Sequence, residues 1–523
     1  LFICGAAAVA LFAAGLANYE PFWESNDDSG MSMIAHGYGI GTTPSPLLLF
    51  ENVLIGYLLQ VLPTIYGVLP YSWFAMGLIL VAGWALLYFV VRSGGALWLA
   101  LFALALVYAR IIAAPQFTIT AGLLTAAGVL ACFSYIRVPS LGALVAGAVL
   151  VVAGYLVRPE AAAFVMVIAL PLVPWREISL KRAEIVTAVL TFGFVVFATV
   201  LDFQHYTGPE WASFRALDPL RVSLTDYSFA EYILKHPSQI HAHGFSKNDI
   251  QLISSWFYID PKVADPARLQ ALIASLPTEN WIAGNLFQAV VAVQALADPT
   301  IAPLMISAVI FSLLSRCWVK SIIAWLVFVS IIVLFGLVGR PAVLHTYYPI
   351  PILMLFASLE RGLRPEVHKP MLRVIPWTVL IASLAMMLRV NIVENSGLRE
   401  RSRLAREDVS RLDRNKTYVV WGAALPIELV FPVLERSTTA FDFPQYGLGW
   451  ESLTPFALDS FKGSRWTDLV DRIAHDHDIP FVAGRGQIDL LSKYCNEHLH
   501  GQLAVREERL NTFTVFYVTC GPT

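Results

Sequence analysis

The sequence predicts an α-helical polytopic membrane protein of about eleven transmembrane helices plus interface helices, with a soluble α/β domain at its C-terminal end. Three observations carry this expectation. Of 523 residues, 57% are hydrophobic and only 14% are charged, against roughly 25% charged in ordinary soluble domains, and the mean hydropathy is +0.63. Apolar runs of roughly the 20 residues that cross a bilayer recur up to residue 388. Beyond it, charged helical and alternating strand patterns take over. A net charge of −2, with Lys and Arg in short clusters between apolar runs, gives nucleic acid nothing to bind.

The first element runs apolar from Leu1 to Asn18. It lacks a basic flank and is followed by an acidic segment, so it reads as a first span that has lost its start rather than as a signal peptide. The next run, 47–63, is bracketed by Pro44, Pro46 and Pro63 and contains Glu51, Asn52 and Gln60, which predicts a helix lying at the interface. Further spans are expected at about 71–91, 95–113, 117–136, 140–157, 160–174, 184–203, 300–315, 320–338, 344–358 and 373–388.

Charge asymmetry supports leaving 47–63 uncrossed. One set of connections then holds eleven basic residues: Arg92, Arg137, Arg176, Lys181, Arg182, Arg316, Lys320, Arg361, Arg364, Lys369 and Arg373. The opposite short connections hold Arg110, Arg158 and Arg340. On this topology the outer face collects the loop 19–70, an insertion at 204–299 and the domain 389–523. Residues 1–388 form the transmembrane domain. The insertion reads as mostly helical, with "PARLQALIASLP" its clearest segment. In the terminal domain "TYVVWG", "IPFVAG" and "NTFTVFYVT" read as strands and "WTDLVDRIAHDHD" as an amphipathic helix. Cys4, Cys132 and Cys317 fall in or beside apolar runs as small hydrophobes. Cys495 and Cys520 lie in the polar region, where an extracytoplasmic location would let them pair.

Chemistry concentrates in "WESNDDSGMSMIAHGYGIGTTPSP", residues 23–46. Asp27 and Asp28 stand beside Trp23, Met31, Met33, His36 and Tyr38, more apolar-aromatic company than a solvated loop needs. A carboxylate there can accept a proton from a hydroxyl nucleophile or hold a divalent cation. "YLVRPEAAA" sets Arg158 and Glu160 around a proline at a span boundary. Arg158, Arg110 and Arg340 are the basic residues that the topology disfavours, so they call for a counter-anion such as a lipid-linked phosphate. In "HYTGPEWASFRALDPLRVSLTDY", Trp211, Arg215 and Arg221 belong to an aromatic and charged mixture suited to sugars. His345 follows Arg340 in "GRPAVLHTYYP". "HDHD" at 475–478 reads as a solvated helix end. No Walker loop, GxSxG, HExxH or CxxC occurs.

With "NDDSGMSMIAHGYGIGTTPSPLLLFENVLIG" in its first outer loop, the chain resembles the GT-C superfamily of integral-membrane glycosyltransferases, which use polyprenyl-phosphate-linked sugars. It is similar to uncharacterised bacterial members whose loop reads Asn-Asp-Asp, then an apolar helix and a Thr-Pro-Ser-type turn. The resemblance implies that Asp28 or Asp27 deprotonates the acceptor hydroxyl and that Arg158, Arg110 or Arg340 stabilises the leaving polyprenyl phosphate. Trp23, His36, Tyr38, Glu160, Trp211, Arg215, Arg221 and His345 are then candidate sugar or acceptor contacts. The basic residue expected in the acidic loop is missing. A divalent cation (Mg, Mn or Ca) is a candidate cofactor, and metal dependence varies across the superfamily. Expected partners are a polyprenyl-phosphate sugar, a glycan or glycolipid acceptor, and membrane lipids. The expected location is a bacterial inner membrane with the site facing outward, which Ala-rich composition and scarce cysteine suit. Two other functions fit less of the sequence: a lipid-linked glycan polymerase or ligase, and a lipid-glycan transporter or flippase. The second would need charges at mid-span and internal repeats, and neither is evident.

Overall fold

The structure, a computed structural model, describes residues 1–522 apart from 178–180, 228, 278–280, 283–284, 342, 365–373 and 462–464. Lys369 and Arg373 of the charge asymmetry lie outside the described residues. In chain order, α1 (Phe2–Asn18), α2 (Asn26–His36) and α3 (Val53–Val61) lead into α4 (Pro70–Arg92), α5 (Leu97–Ala113), α6 (Phe117–Arg137), α7 (Leu141–Val157), α8 (Pro159–Ala169) and α9 (Arg182–His205). Among shorter elements, the insertion then supplies α10 (Ala212–Thr225), α11 (Lys247–Ser254) and α12 (Pro266–Ala274). Next come α13 (Leu286–Gln294), α14 (Ala302–Leu314), α15 (Trp318–Leu337), α16 (Pro349–Arg361) and α17 (Val374–Ser410).

Five of these, α4, α6, α9, α15 and α17, are long and apolar enough to cross a membrane. The pair 286–297 and 302–314 passes the same test together but is bent by 86°. The chain is therefore a helical membrane protein. The other apolar runs form helices too short to pass alone. The 47–63 run yields only the nine-residue α3. Asn52 caps that helix by accepting from Leu54 N–H at 3.1 Å, and Asp202 of α9 accepts from Val53 N–H at 2.8 Å.

Composition sets which helices sit inside. α6 carries small residues through "TAGLLTAAGVLA", so α4, α7, α8 and α16 approach it closely, and 89% of its apolar window is buried. In α9, Val, Leu and Phe point in all directions, and only 6% of the window is buried. That is the signature of a lipid-facing helix.

The terminal sheet runs in the order β2-β1-β3-β5-β4, with β1 (Tyr418–Trp421), β2 (Gln445–Leu448), β3 (Ile479–Val482), β4 (Gly501–Arg509) and β5 (Thr514–Pro522). β2, β1 and β3 are parallel, while β5 pairs antiparallel with both β3 and β4. The three strands read from sequence are β1, β3 and β5. β2 and β4 went unread: β2 sits among Pro and Gly, and β4, "GQLAVREER", is an exposed edge whose polar residues hide the alternation. Side chains alternate across the sheet. Val419, Trp421 and Phe481 join Leu217, Ile250, Phe257 and Leu269 of the insertion. Tyr418, Val420 and Val482 join Phe22, Met33 and Ile40 of the acidic segment, with Ala405 and Val409 of α17. The insertion, the acidic segment and the sheet are therefore one packed body.

Two expected boundaries move. The limit at 388/389 falls inside α17, which continues unbroken for 37 residues from the apolar segment through "RERSRLAREDVS". Polarity changes there while helical periodicity does not, and the sheet begins only at Tyr418. The insertion, placed at 204–299, gives up its last part: α13 packs on α15, where Gly336 lets the Ala289 backbone approach. Cys495 of α18 (Arg485–Leu499) and Cys520 of β5 are disulfide-bonded, with Cα atoms 6.0 Å apart.

Candidate active site around the acidic pair

The acidic pair opens a helix. Ser25 precedes α2, and Asp27 and Asp28 occupy its first turn, where carboxylates complement the positive end of the helix dipole. The helix stops at Gly37, whose φ of +70° belongs to the left-handed region. Neighbouring residues on a helix point about 100° apart, so the two acids face different surroundings.

Asp28 points inward and is 0% exposed. Its Oδ1 accepts from Tyr71 Oη at 3.0 Å and from the Phe117 amide at 3.1 Å, linking α2 to α4 and α6. Burial pushes its carboxyl well above the usual range, while the hydrogen bond from Tyr71 works the other way. Asp27 is half-buried and, among the described residues, makes no hydrogen bond or ion pair. Desolvation raises its pKa, while His345 and Arg158 lower it in turn. An acid with free lone pairs, made more basic by partial burial and set within reach of Arg158 and His345, is equipped to take a proton.

Four other segments close the site. Arg158 sits at the break between α7 and α8, with Pro159 opening α8. Its Nε pairs with Glu160 at 3.0 Å, its Nη1 donates to Phe50 O at 3.4 Å, and its guanidinium lies over Phe50 and Phe117. Glu160 is mostly exposed, so an incoming anion can displace it. His345 Nδ1 is 3.5 Å from Glu24, and Arg340 is 3.5 Å from Asp226 and lies over Tyr227. From the terminal domain, the turn after β2 brings Trp450 onto Phe50 and against Gly30, where a Cβ would come within 2.6 Å of the indole. Glu451, the next residue, is buried, which drives its carboxyl up to about 7. A cleft of about 660 Å³ opens between the insertion and the N-terminal end of α18, lined by Asp226, Tyr227, Glu231, Gln251, Ser255 and Gln487 among others. Asp226 links the two regions, since it lines the cleft and its charge acts on Asp27.

The remaining candidates take other places. Arg110 is buried and paired with Glu394 of α17, with Asn391 beside it. Trp211 is only 2% exposed, edge-on to Tyr206, Phe214 and Phe456, so it has no face to offer a sugar. Trp23 packs against Tyr71, and Tyr38 against Phe431 and Phe441. His36 Nε2 accepts from the Tyr71 amide at 3.2 Å, and burial lowers its pKa to about 4, so it stands as a neutral structural acceptor. Arg215 donates to the Tyr206 and Gly208 carbonyls. Arg221 is buried, paired with Asp218 and stacked over Trp256. Sequence reasoning gave no role to Tyr71, Glu451 or Glu51. Tyr71 carries no signal, and Glu451 lies in a glycine-rich turn. Glu51 had one, because an acid inside "LLLFENVLIG" is costly without a purpose.

Among the described residues no group of three His, Cys, Asp or Glu ligand atoms converges at the acidic pair. Asp28 Oδ1 is already occupied, and Asp27 faces another way. Among the described residues the trio of acids and histidine that converges is Asp249, Glu497 and His498, whose ligand atoms lie within 4.8 Å of one another. It sits where α11 meets α18, and its Asp249 already bonds His498 and the Ser246 amide. Compared with known proteins, the sequence matches no family model and no curated protein.

Proposed function

We propose that the protein is a membrane glycosyltransferase that moves a sugar from a polyprenyl-phosphate donor to a hydroxyl-bearing glycan or lipid acceptor on the extracytoplasmic face. The observation that carries this reading is the division of labour in the acidic pair. Asp28 is locked into the protein by two donors, while Asp27 makes no hydrogen bond or ion pair among the described residues and feels the charges of Arg158 and of Asp226, which lines the cleft. The Cys495–Cys520 disulfide favours an oxidising compartment for the terminal domain. The excess of Lys and Arg in the opposite connections favours the same sidedness and about eleven crossings.

In this reading the acceptor enters through the cleft and its hydroxyl proton passes to an Asp27 carboxylate oxygen. The freed oxygen attacks the anomeric carbon as the bond from that carbon to the phosphate oxygen breaks. The electron pair leaves with the polyprenyl phosphate, whose growing charge Arg158 meets with its fork of donors. Arg340, expected from sequence at the donor phosphate, is half-exposed beside Asp226, and in this reading it meets the acceptor side instead. Arg110, tied to Glu394, holds α17 against α5.

The test is release of polyprenyl phosphate from a panel of polyprenyl-phosphate sugars by purified protein in detergent. Arg158→Gln is expected to weaken donor use by about 10- to 100-fold, the value of one charge-assisted contact of roughly 1.5–3 kcal/mol. Arg110→Gln is expected to act on thermal stability while leaving the donor KM near that of wild type. Equal effects on KM from both would remove Arg158 from the phosphate site. Exchange of labelled lipid across liposomes without turnover would support a flippase instead.

A further inference from the structure

Behind Asp27 stand two further carboxylates that share one hydroxyl. Tyr71 Oη lies 3.0 Å from Asp28 Oδ1 and 3.5 Å from Glu51 Oε1. Both acids are buried, and their outer oxygens, Asp28 Oδ2 and Glu51 Oε2, have no hydrogen-bond partner among the described residues. A tyrosine hydroxyl carries one proton and can donate to one acceptor at a time. With both acids ionised, one of them would face the lone pair of Tyr71 and two negative charges would share a dry site, an arrangement far too costly to persist.

We propose that Asp28 and Glu51 hold a single proton between them through Tyr71. Glu51 stands as a neutral carboxylic acid donating to Tyr71 Oη, and Tyr71 donates in turn to an ionised Asp28. The donors decide the order. Asp28 receives a second hydrogen bond from the Phe117 amide, which favours its charged form, whereas Glu51 has no donor besides Tyr71 among the described residues. The charged groups acting on the pair are Asp27 and Glu24 next to Asp28, and Arg158, which acts on Glu51 while bonded to Glu160 and Phe50. Burial raises both carboxyls, Asp28 well above its usual range and Glu51 up to about 8, so the pair does not hold two charges. A divalent cation, which can bind through one or two carboxylates and fill its remaining positions with water, is the competing neutraliser that the test below separates. The site supplies two free carboxylate oxygens beside Tyr71, which is packed on Trp23.

The consequence is a chain of three side chains, Glu51–Tyr71–Asp28, that pins the first turn of α2 to α4 and to the segment just before α3 without adding a second negative charge behind Asp27. Glu51 and Tyr71 are positioning residues. This inference does not depend on the transferase reading, and its test needs no substrate.

The test is infrared spectroscopy of the full chain in detergent, wild type minus Glu51→Gln, at mildly acid pH in H₂O and D₂O. The expected difference is one carbonyl band of a protonated carboxyl, isotope-shifted and lost as pH rises through about 8. Glu451, which titrates near 7, is present in both samples and cancels. Chelator is expected to leave the band unchanged. Tyr71→Phe, which keeps the ring, is expected to retain the band at the higher frequency of a less hydrogen-bonded acid. A wild type with only ionised-carboxylate bands overturns the proposal, as does a band that appears only after chelation, which would assign the pair to a cation. So does a band that Tyr71→Phe fails to move.

Discussion

At the scale of single residues, helical geometry separates two acids that the sequence presents as twins. The string Asn-Asp-Asp marks the place, but which acid turns inward depends on the phase of α2, and that phase is fixed by Met31 and Ile34 entering one core and Met33 another. Buried titratable groups around them give stability a shape in pH. Glu51, at about 8 in the fold against an ordinary 4.5, contributes stability that is full below 4.5 and lost as pH rises through 8. Glu451, at about 7, has the same sign. His36, at about 4 against an ordinary 6.5, contributes stability present above 6.5 and lost as pH falls through 4. Melting temperature in detergent is therefore expected to fall on both sides of an optimum. Glu51→Gln should flatten the alkaline limb and His36→Gln the acid limb. An unchanged alkaline limb in Glu51→Gln would mean that Glu51 is ionised in the fold.

At the scale of elements, the contact between α2 and the turn after β2 seats the terminal domain on the acidic segment. Gly30 has room for no side chain there, because the Trp450 indole occupies the space a Cβ would need. Gly30→Val is expected to cost about 1–3 kcal/mol by overpacking and to lower turnover by displacing α2, which carries Asp27, read as a drop in melting temperature alongside a loss of rate. A wild-type melting curve would show that the two surfaces do not meet. The Cys495–Cys520 link closes α18 onto β5 across 25 residues. Cys495→Ser with Cys520→Ser should destabilise the terminal domain by about 3 kcal/mol, and non-reducing mass analysis of wild type should find three free thiols. Elements were legible where one periodicity held: the apolar runs became helices, and β1, β3 and β5 alternate or run apolar between turns. The composition shift at 388/389 misplaced a boundary because α17 changes its surroundings without changing its backbone.

At the scale of the whole molecule, sequence announced a membrane protein with a terminal α/β domain, and the structure has both. What sequence could not show is how its parts converge. The acidic segment, the α7–α8 break, the insertion and the turn after β2 are separated by up to hundreds of residues, yet Arg158, Asp226 and Glu451 all lie within electrostatic reach of Asp27. That convergence rests on the two faces of a five-stranded sheet, one gripping the insertion and the other the acidic segment. No local pattern encodes such a long-range pairing, and for the same reason Trp211 read as a sugar platform when it is a core residue. The most direct measurement is turnover of polyprenyl-phosphate sugars by wild type, Asp27→Asn and Asp28→Asn, each checked for folding by melting temperature. The account expects Asp27→Asn to keep its fold and lose about 10²- to 10⁴-fold in rate, the worth of a general base. Asp28→Asn, which buries an amide group where Oδ2 has no partner among the described residues, should lose stability along with rate. A folded Asp27→Asn that turns over donor like wild type would contradict it.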